Sequence, residues 1–163
     1  VLEVTWRTKS VFDVLEMSVD EAIAFFADEK KLANALQPLS DVGLVYVKLG
    51  QSSDTLSGGE AQRVKLASFL GKGKSRDKLL FIFDEPTTGL HFHDISKLLG
   101  SFNALIEQGH SVLVIEHNTD VIKCADWLID IGHEGGAGGG QLLYAGAPDG
   151  LTKVKESYTG RYL

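Results

Sequence analysis

Residues Leu79-Leu80-Phe81-Ile82-Phe83 form an unbroken apolar run that stops abruptly at Asp84-Glu85-Pro86. Such a run reads as a strand buried on both faces of a parallel sheet, with the carboxylates at its C-terminal edge. Ser111-Val112-Leu113-Val114-Ile115 repeats the pattern and ends on Glu116-His117, and Trp127-Leu128-Ile129-Asp130-Ile131 is a third run. Between the first two, Ile95, Leu98, Leu99, Phe102, Leu105 and Ile106 keep helical spacing up to Gly109; Val121, Ile122 and Ala125 do so before the third. Strand, helix, strand, helix, strand over residues 79–131 predicts a doubly wound α/β arrangement. Ligands of an open parallel sheet sit beyond the carboxyl ends of its strands, so Asp84, Glu85 and His117 become the first candidates for chemistry. An aspartate there suits Mg²⁺, directly or through water, and an adjacent glutamate can polarise an attacking water. His93 and His110 are expected on the surface, and Cys124 packed within its helix.

The first part of the chain is patterned for helices. Leu2, Val4 and Trp6 alternate as a short strand would. Ser18-Val19-Asp20-Glu21 has the spacing of a capping box before Ala22, Ile23, Phe25 and Phe26. A further helix is expected from about Asp28, with Pro38 kinking or ending it. Leu44 to Leu49 reads as a short extended segment, which assigns residues 1–50 to a largely helical subdomain and 51–163 to the remainder. The polar Ser52-Ser53-Asp54 then leads to Leu56-Ser57-Gly58-Gly59-Glu60-Ala61-Gln62-Arg63 and a helix over residues 58–70. A Ser-Gly-Gly turn opening a helix aims backbone N–H groups forward without intrahelical partners, which makes an anion site; an ordinary Ser N-cap is the alternative. Leu142 to Ala145 reads as an edge strand or hairpin arm, and the tail from Pro148 as a fraying helix.

Several functions are disfavoured. Gly73-Lys74-Ser75 imitates the end of the phosphate-binding pattern G-x-x-x-x-G-K-S/T, but Ser68 takes the first position and the helix precedes rather than follows. No P-loop is therefore found in the 163 residues. The glycine-dense Glu134 to Gly140 lacks the spacing of a dinucleotide loop and reads as a connection between strands. Arg63, Lys65, Lys72, Lys74, Arg76 and Lys78 read as a solvated basic face, with contact to a phosphate backbone as the alternative, and a net charge of -6 gives no global footprint for nucleic acid. A single cysteine excludes an internal disulfide and fits a reducing, cytoplasmic compartment. No apolar run has the ~18 residues of a membrane span. Starting at Val1 inside a patterned segment, the chain reads as an excised fragment or a processed chain.

Leu56-Ser57-Gly58-Gly59-Glu60 with Gln62 resembles the signature motif of ABC-type ATPases. Leu79 to Asp84 with Glu85-Pro86-Thr87 resembles their Walker B strand and its adjoining glutamate, and His117 their switch histidine. The wording is similar, more narrowly, to the C-terminal part of the excinuclease UvrA family, the damage sensors of bacterial nucleotide excision repair. Leu49-Gly50-Gln51, Asp84 to His91, Ile115-Glu116-His117-Asn118 and Ala125-Asp126-Trp127 leading into Glu134-Gly135-Gly136 carry that similarity, as do residues 11–26. Val45 and His133 depart from it.

The resemblance implies a P-loop-NTPase-like (ABC ATPase) parallel sheet flanked by helices, lacking the P-loop strand, with an N-terminal helical signature subdomain. It implies ATP and Mg²⁺ as ligands. Asp84 would hold Mg²⁺ through water, Glu85 would be the general base, and His117 would contact the γ-phosphate. Ser57, Gly58 and Gly59, within a signature that includes Glu60 and Gln62, would meet the γ-phosphate of a nucleotide held by the opposite half's P-loop. Thr87 to His91 would be the D-loop. The family's second P-loop and its zinc cysteines would lie before Val1, so zinc has no ligands here. The implied partners are the missing ATPase half and P-loop region, a second UvrA copy, UvrB and damaged double-stranded DNA, with no membrane. The implied function is a fragment of an ATP-dependent DNA-damage recognition protein, contributing signature and Walker B elements to composite ATPase sites. The ATPase component of a transporter is a second reading, disfavoured by the wording around Gln51 and Gly135; a non-catalytic interaction module is a third.

Without a P-loop, the 163-residue chain alone is expected neither to hydrolyse ATP nor to bind it tightly. Titration calorimetry that returned micromolar ATP affinity would overturn this.

Overall fold

A computed structural model describes residues 3–71, 77–132 and 139–163. The Gly73-Lys74-Ser75 segment, His133 and the Glu134–Gly138 part of the glycine-dense stretch lie outside them. The chain divides into two compact units, one up to Val114 and one from Ile115 onward.

In the first unit, β1 (Thr5–Trp6) and β2 (Lys9–Ser10) pair antiparallel across Arg7 and Thr8. Both turn residues have positive φ (50° and 68°), as a two-residue hairpin with the twist of its strands requires. The alternation that begins at Leu2 thus yields a strand only at its last two described positions. Trp6 meets Phe25 edge-on at 5.2 Å and stacks on Phe26 at 5.6 Å, which fixes the hairpin on the following helices.

Four helices follow: α1 (Val11–Glu16), α2 (Val19–Phe25), α3 (Lys30–Asp41) and α4 (Gly58–Leu70). Three of them open with complete capping boxes, Ser10 with Asp13, Ser18 with Glu21 and Ser57 with Glu60, each satisfying two N–H groups at a helix start. Pro38 does not end α3, which runs on to Asp41. Close to the helix end, proline removes a single hydrogen bond, and its carbonyl still accepts from the Val42 N–H at 3.3 Å. Leu44 to Leu49 is a chain of turns with one bridge, Ser18 to Lys48, rather than an extended segment. Its carbonyls bend over the start of α2, where Val47 accepts from the Val19 N–H at 2.9 Å and Val45 from the Asp20 N–H at 3.1 Å. Those donors have no intrahelical partner, and the bent connection supplies one.

The core gathers Val42, Leu44, Leu66, Ala67, Phe83, Leu98, Phe102 and Leu105. Strand β3 (Leu80–Asp84) crosses over through α5 (Phe92–Glu107) to its sheet neighbour β4 (Ser111–Ile115), a parallel strand–helix–strand unit. Only one face of β3 is covered. Phe83 is buried and Phe81 half-buried, whereas Leu80 and Ile82 are each 62% exposed. The uninterrupted apolar run had predicted burial on both. His110, expected on the surface, is buried with its ring 5.4 Å from Phe69 and 5.5 Å from Phe81. Its Nδ1 accepts from the Leu79 N–H at 3.2 Å, giving the start of the strand an acceptor that an apolar residue could not provide.

In the second unit, α6 (Thr119–Lys123) is capped by Asn118, whose Oδ1 accepts from the Asp120 N–H at 2.9 Å. Cys124, expected to pack, is exposed at the end of that helix. The third apolar run becomes β5 (Leu128–Gly132), paired antiparallel with β6 (Gln141–Gly146), so the later segment is a hairpin arm. Helix α7 (Pro148–Leu151) is short, and the buried Ser157 donates to Asp130 Oδ2 at 2.6 Å.

Leu98 is fully buried at the centre of the first unit, so Leu98→Ala is expected to cost about 2–5 kcal/mol through lost burial and a residual cavity. Urea denaturation should show a lower midpoint at unchanged slope.

Candidate functional site

The site is built from the start of α4 and the end of β3. In the Ser57–Glu60 box, Ser57 Oγ accepts from the Glu60 N–H at 3.3 Å and Glu60 Oε2 accepts from the Ser57 N–H at 2.8 Å. The box does not use the N–H groups of Gly58 and Gly59, which as the first two helical residues have no intrahelical acceptor. Neither glycine is demanded by packing. A Cβ at Gly58 would meet nothing within 4 Å, and one at Gly59 would make ordinary contacts of 3.4 Å or more with Arg63, Glu85 and Thr88. Each glycine weakens a helix by about 0.5–1 kcal/mol relative to alanine. What the pair provides is open access to two forward-pointing amides, the geometry of an anion site.

Across from those amides lie the strand-end carboxylates. Ser57, Gly58, Gly59, Gln62, Asp84, Glu85 and Thr88 line one open cleft of about 470 Å³. Glu85 has φ +47°, a left-handed conformation that costs a non-glycine residue about 1–3 kcal/mol. The backbone on both sides of it is held from α4. Gln62 Nε2 donates to the Asp84 carbonyl at 3.2 Å while its Oε1 accepts from the Asp84 N–H at 3.1 Å. A side-chain amide here does what a neighbouring strand would do for the last residue of β3. Arg63, with no exposed surface, donates through Nη1 to the carbonyls of Pro86 at 2.6 Å and Thr88 at 3.4 Å. Its Nη2 donates to Tyr46 Oη at 3.3 Å, and Tyr46 donates in turn to Glu60 Oε1 at 2.7 Å.

Of the residues singled out in the sequence, Ser57, Gly58, Gly59, Gln62, Asp84 and Glu85 share the cleft. Glu60 has both carboxylate oxygens bonded to protein, one to Tyr46 and one to the Ser57 N–H. His117 belongs to the second unit, two residues after the end of β4, where its N–H donates to Glu116 Oε2 at 3.0 Å. Arg63, grouped with the solvated basic residues, is instead the most buried polar side chain of the first unit. Arg63 and Tyr46 escaped the sequence reading because their partners lie 14 to 25 residues away. The one available signal was an arginine placed three residues after a capping glutamate and next to a glutamine.

Phosphate and a hydrated cation fit this donor set. The two helix-opening glycines, whose amides have no intrahelical acceptor, and two carboxylate residues line the same cleft. Among the described residues no group of three His, Cys, Asp or Glu side chains could hold a metal ion. Mg²⁺ keeps waters and takes one or two carboxylates together with phosphate oxygens, and Asp84 and Glu85 are the carboxylates in the cleft.

The fold is that of the ABC class of ATPase domains. The chain belongs to the ABC transporter family, whose model matches residues 3–88. Over 99% of its length it is 58% identical to the UvrABC system protein A of Agrobacterium fabrum and 57% identical to that of Bacillus subtilis. It spans 16% and 17% of the length of these two relatives. Among solved structures it is similar to UvrA2 from Deinococcus radiodurans, with a TM-score of 0.83 and 43% identity, covering 99% of this chain and 20% of that one. A bacterial Atm1-family ABC exporter with ATP bound shares the fold, at a TM-score of 0.53 and 20% identity over 91% of this chain and 26% of the exporter.

The Tyr46 hydroxyl and then the Ser57 N–H hold the Glu60 carboxyl below its ordinary value of 4.5. Folding therefore releases protons from Glu60, and its stabilising contribution is complete above pH 4.5 and lost as pH falls through the lower folded value. NMR titration should find Glu60 below 4.5, and Tyr46→Phe should move it upward.

Proposed function

We propose that this chain supplies the signature and Walker B elements of composite ATP-hydrolysing sites in a DNA-damage recognition ATPase of bacterial nucleotide excision repair. The observation that carries the reading is the shared cleft. Two helix-opening glycines without a packing need face two strand-end carboxylates, one of them on strained backbone. Similarity to UvrABC system protein A over 99% of the chain supports the choice of repair over transport. No helix among the described residues is long and apolar enough to cross a membrane.

On this reading, Glu85 accepts the proton of the water that attacks the γ-phosphate, and the backbone amides of Gly58 and Gly59 with Ser57 bind phosphate oxygens of a nucleotide whose P-loop lies in another ATPase half. Residues 1–50 form the helical part of the signature subdomain that carries this turn. Asp84 would hold Mg²⁺ through water, and the ion would draw charge off the β- and γ-phosphate oxygens. His117 contacts the γ-phosphate. The working protein is cytoplasmic, carries a P-loop region, pairs with a second copy, engages UvrB and binds damaged double-stranded DNA.

The test is a chimera in which this segment replaces the corresponding residues of the Bacillus subtilis relative. Glu85→Gln is expected to slow its ATP turnover by ~10²-fold or more, the scale of lost general-base help, while ATP still binds. Turnover near the parent value, with the other half's site silenced, would show that Glu85 is not the base.

A further inference from the structure

Gln62 and Arg63 are adjacent on α4, yet they grip the chain on opposite sides of one residue. Gln62 pairs with both backbone groups of Asp84, and Arg63 bonds the carbonyls of Pro86 and Thr88. Between the two grips stands Glu85 in its left-handed conformation. A non-glycine residue relaxes from that region unless its surroundings over-determine it, and the four bonds do so from a single rigid helix. The same helix begins at the phosphate-facing turn, and the contact from Arg63 through Tyr46 and Glu60 reaches back to Ser57.

Resting on the proposed role of Glu85, we propose that Gln62 and Arg63 are positioning residues for that carboxylate: the signature helix sets the geometry of the general base in its own chain. Gln62 then acts on the backbone of Asp84 and not as a direct ligand of nucleotide. A phosphate seated on Gly58 and Gly59 at one composite site pulls on the helix that aims the carboxylate serving another. The two sites are joined by side-chain-to-backbone bonds inside one chain, and a shift of α4 reaches Glu85 through the last residue of β3 on one side and the turn after it on the other.

Two measurements decide this. In the 163-residue chain, the Asp84 amide should exchange with solvent about 10-fold faster in Gln62→Leu than in the parent, with the amides of β4 unchanged as control. An unchanged Asp84 rate removes the clamp. In the Bacillus subtilis chimera, Gln62→Leu should lower kcat about 10-fold or more and leave KM for ATP within about twofold, the signature of a misplaced base. In a Glu85→Gln background the same substitution should cause no further loss, because the group it positions is gone. A raised KM with retained kcat would make Gln62 a nucleotide ligand, and equal losses in both backgrounds would place its effect elsewhere; either overturns the inference. Should Glu85→Gln alone leave turnover intact, the proposed function fails separately, and the Asp84 exchange rate still decides whether the clamp exists.

Discussion

A guanidinium with no exposed surface ties this structure together. Burying a charge is costly unless its donors are occupied, and Arg63 meets that demand with two backbone carbonyls and a tyrosine hydroxyl. Its Nε finds no acceptor among the described residues, a penalty the other contacts must offset. Because Tyr46 donates its own hydroxyl proton to Glu60, and Glu60 closes the box with Ser57, one continuous set of bonds joins three regions. They are the connection after α3, the entry of α4 and the turn after β3. Each is irregular backbone that no regular ladder would hold in place.

That arrangement explains how a short strand can deliver carboxylates to a defined position. The last residue of β3 is gripped by a side-chain amide, and the next is forced into a conformation it would not choose alone. The glycines on the facing side are left uncrowded, so the cleft combines a fixed anionic wall with open amide donors. Rigidity is concentrated at the carboxylates and access at the glycines, which on the proposed reading lets the site bind and then release phosphate.

Local periodicity made α4 legible, and the Ser18–Glu21 box and the end of β3 at Asp84 were equally plain. Each is written within a few consecutive residues. Pro38 misled because a proline near a helix end removes too little to stop it. The face of β3 was misread because an apolar run reports affinity for burial and not whether a covering surface is present. The burial of His110 and Arg63 and the backbone partner of Gln62 were opaque for a third reason. A polar side chain that satisfies distant backbone is chosen by tertiary geometry, and nothing in its neighbours along the chain announces it. Of the cleft, the glycines and carboxylates could be named in advance, but the device that aligns them could not.

The uncovered side of β3 and β4 has a practical meaning. Leu80, Ile82 and Leu113 present apolar side chains from adjacent strands to water, at 62%, 62% and 41% exposure. Contiguous apolar area of this kind attracts any similar surface without directional preference, and its pull strengthens with temperature and with kosmotropic salts. Dilution and salt choice therefore act on this surface as well as on the folding equilibrium. A sulfate-rich buffer, which tightens the core, also drives these strands toward those of neighbouring molecules.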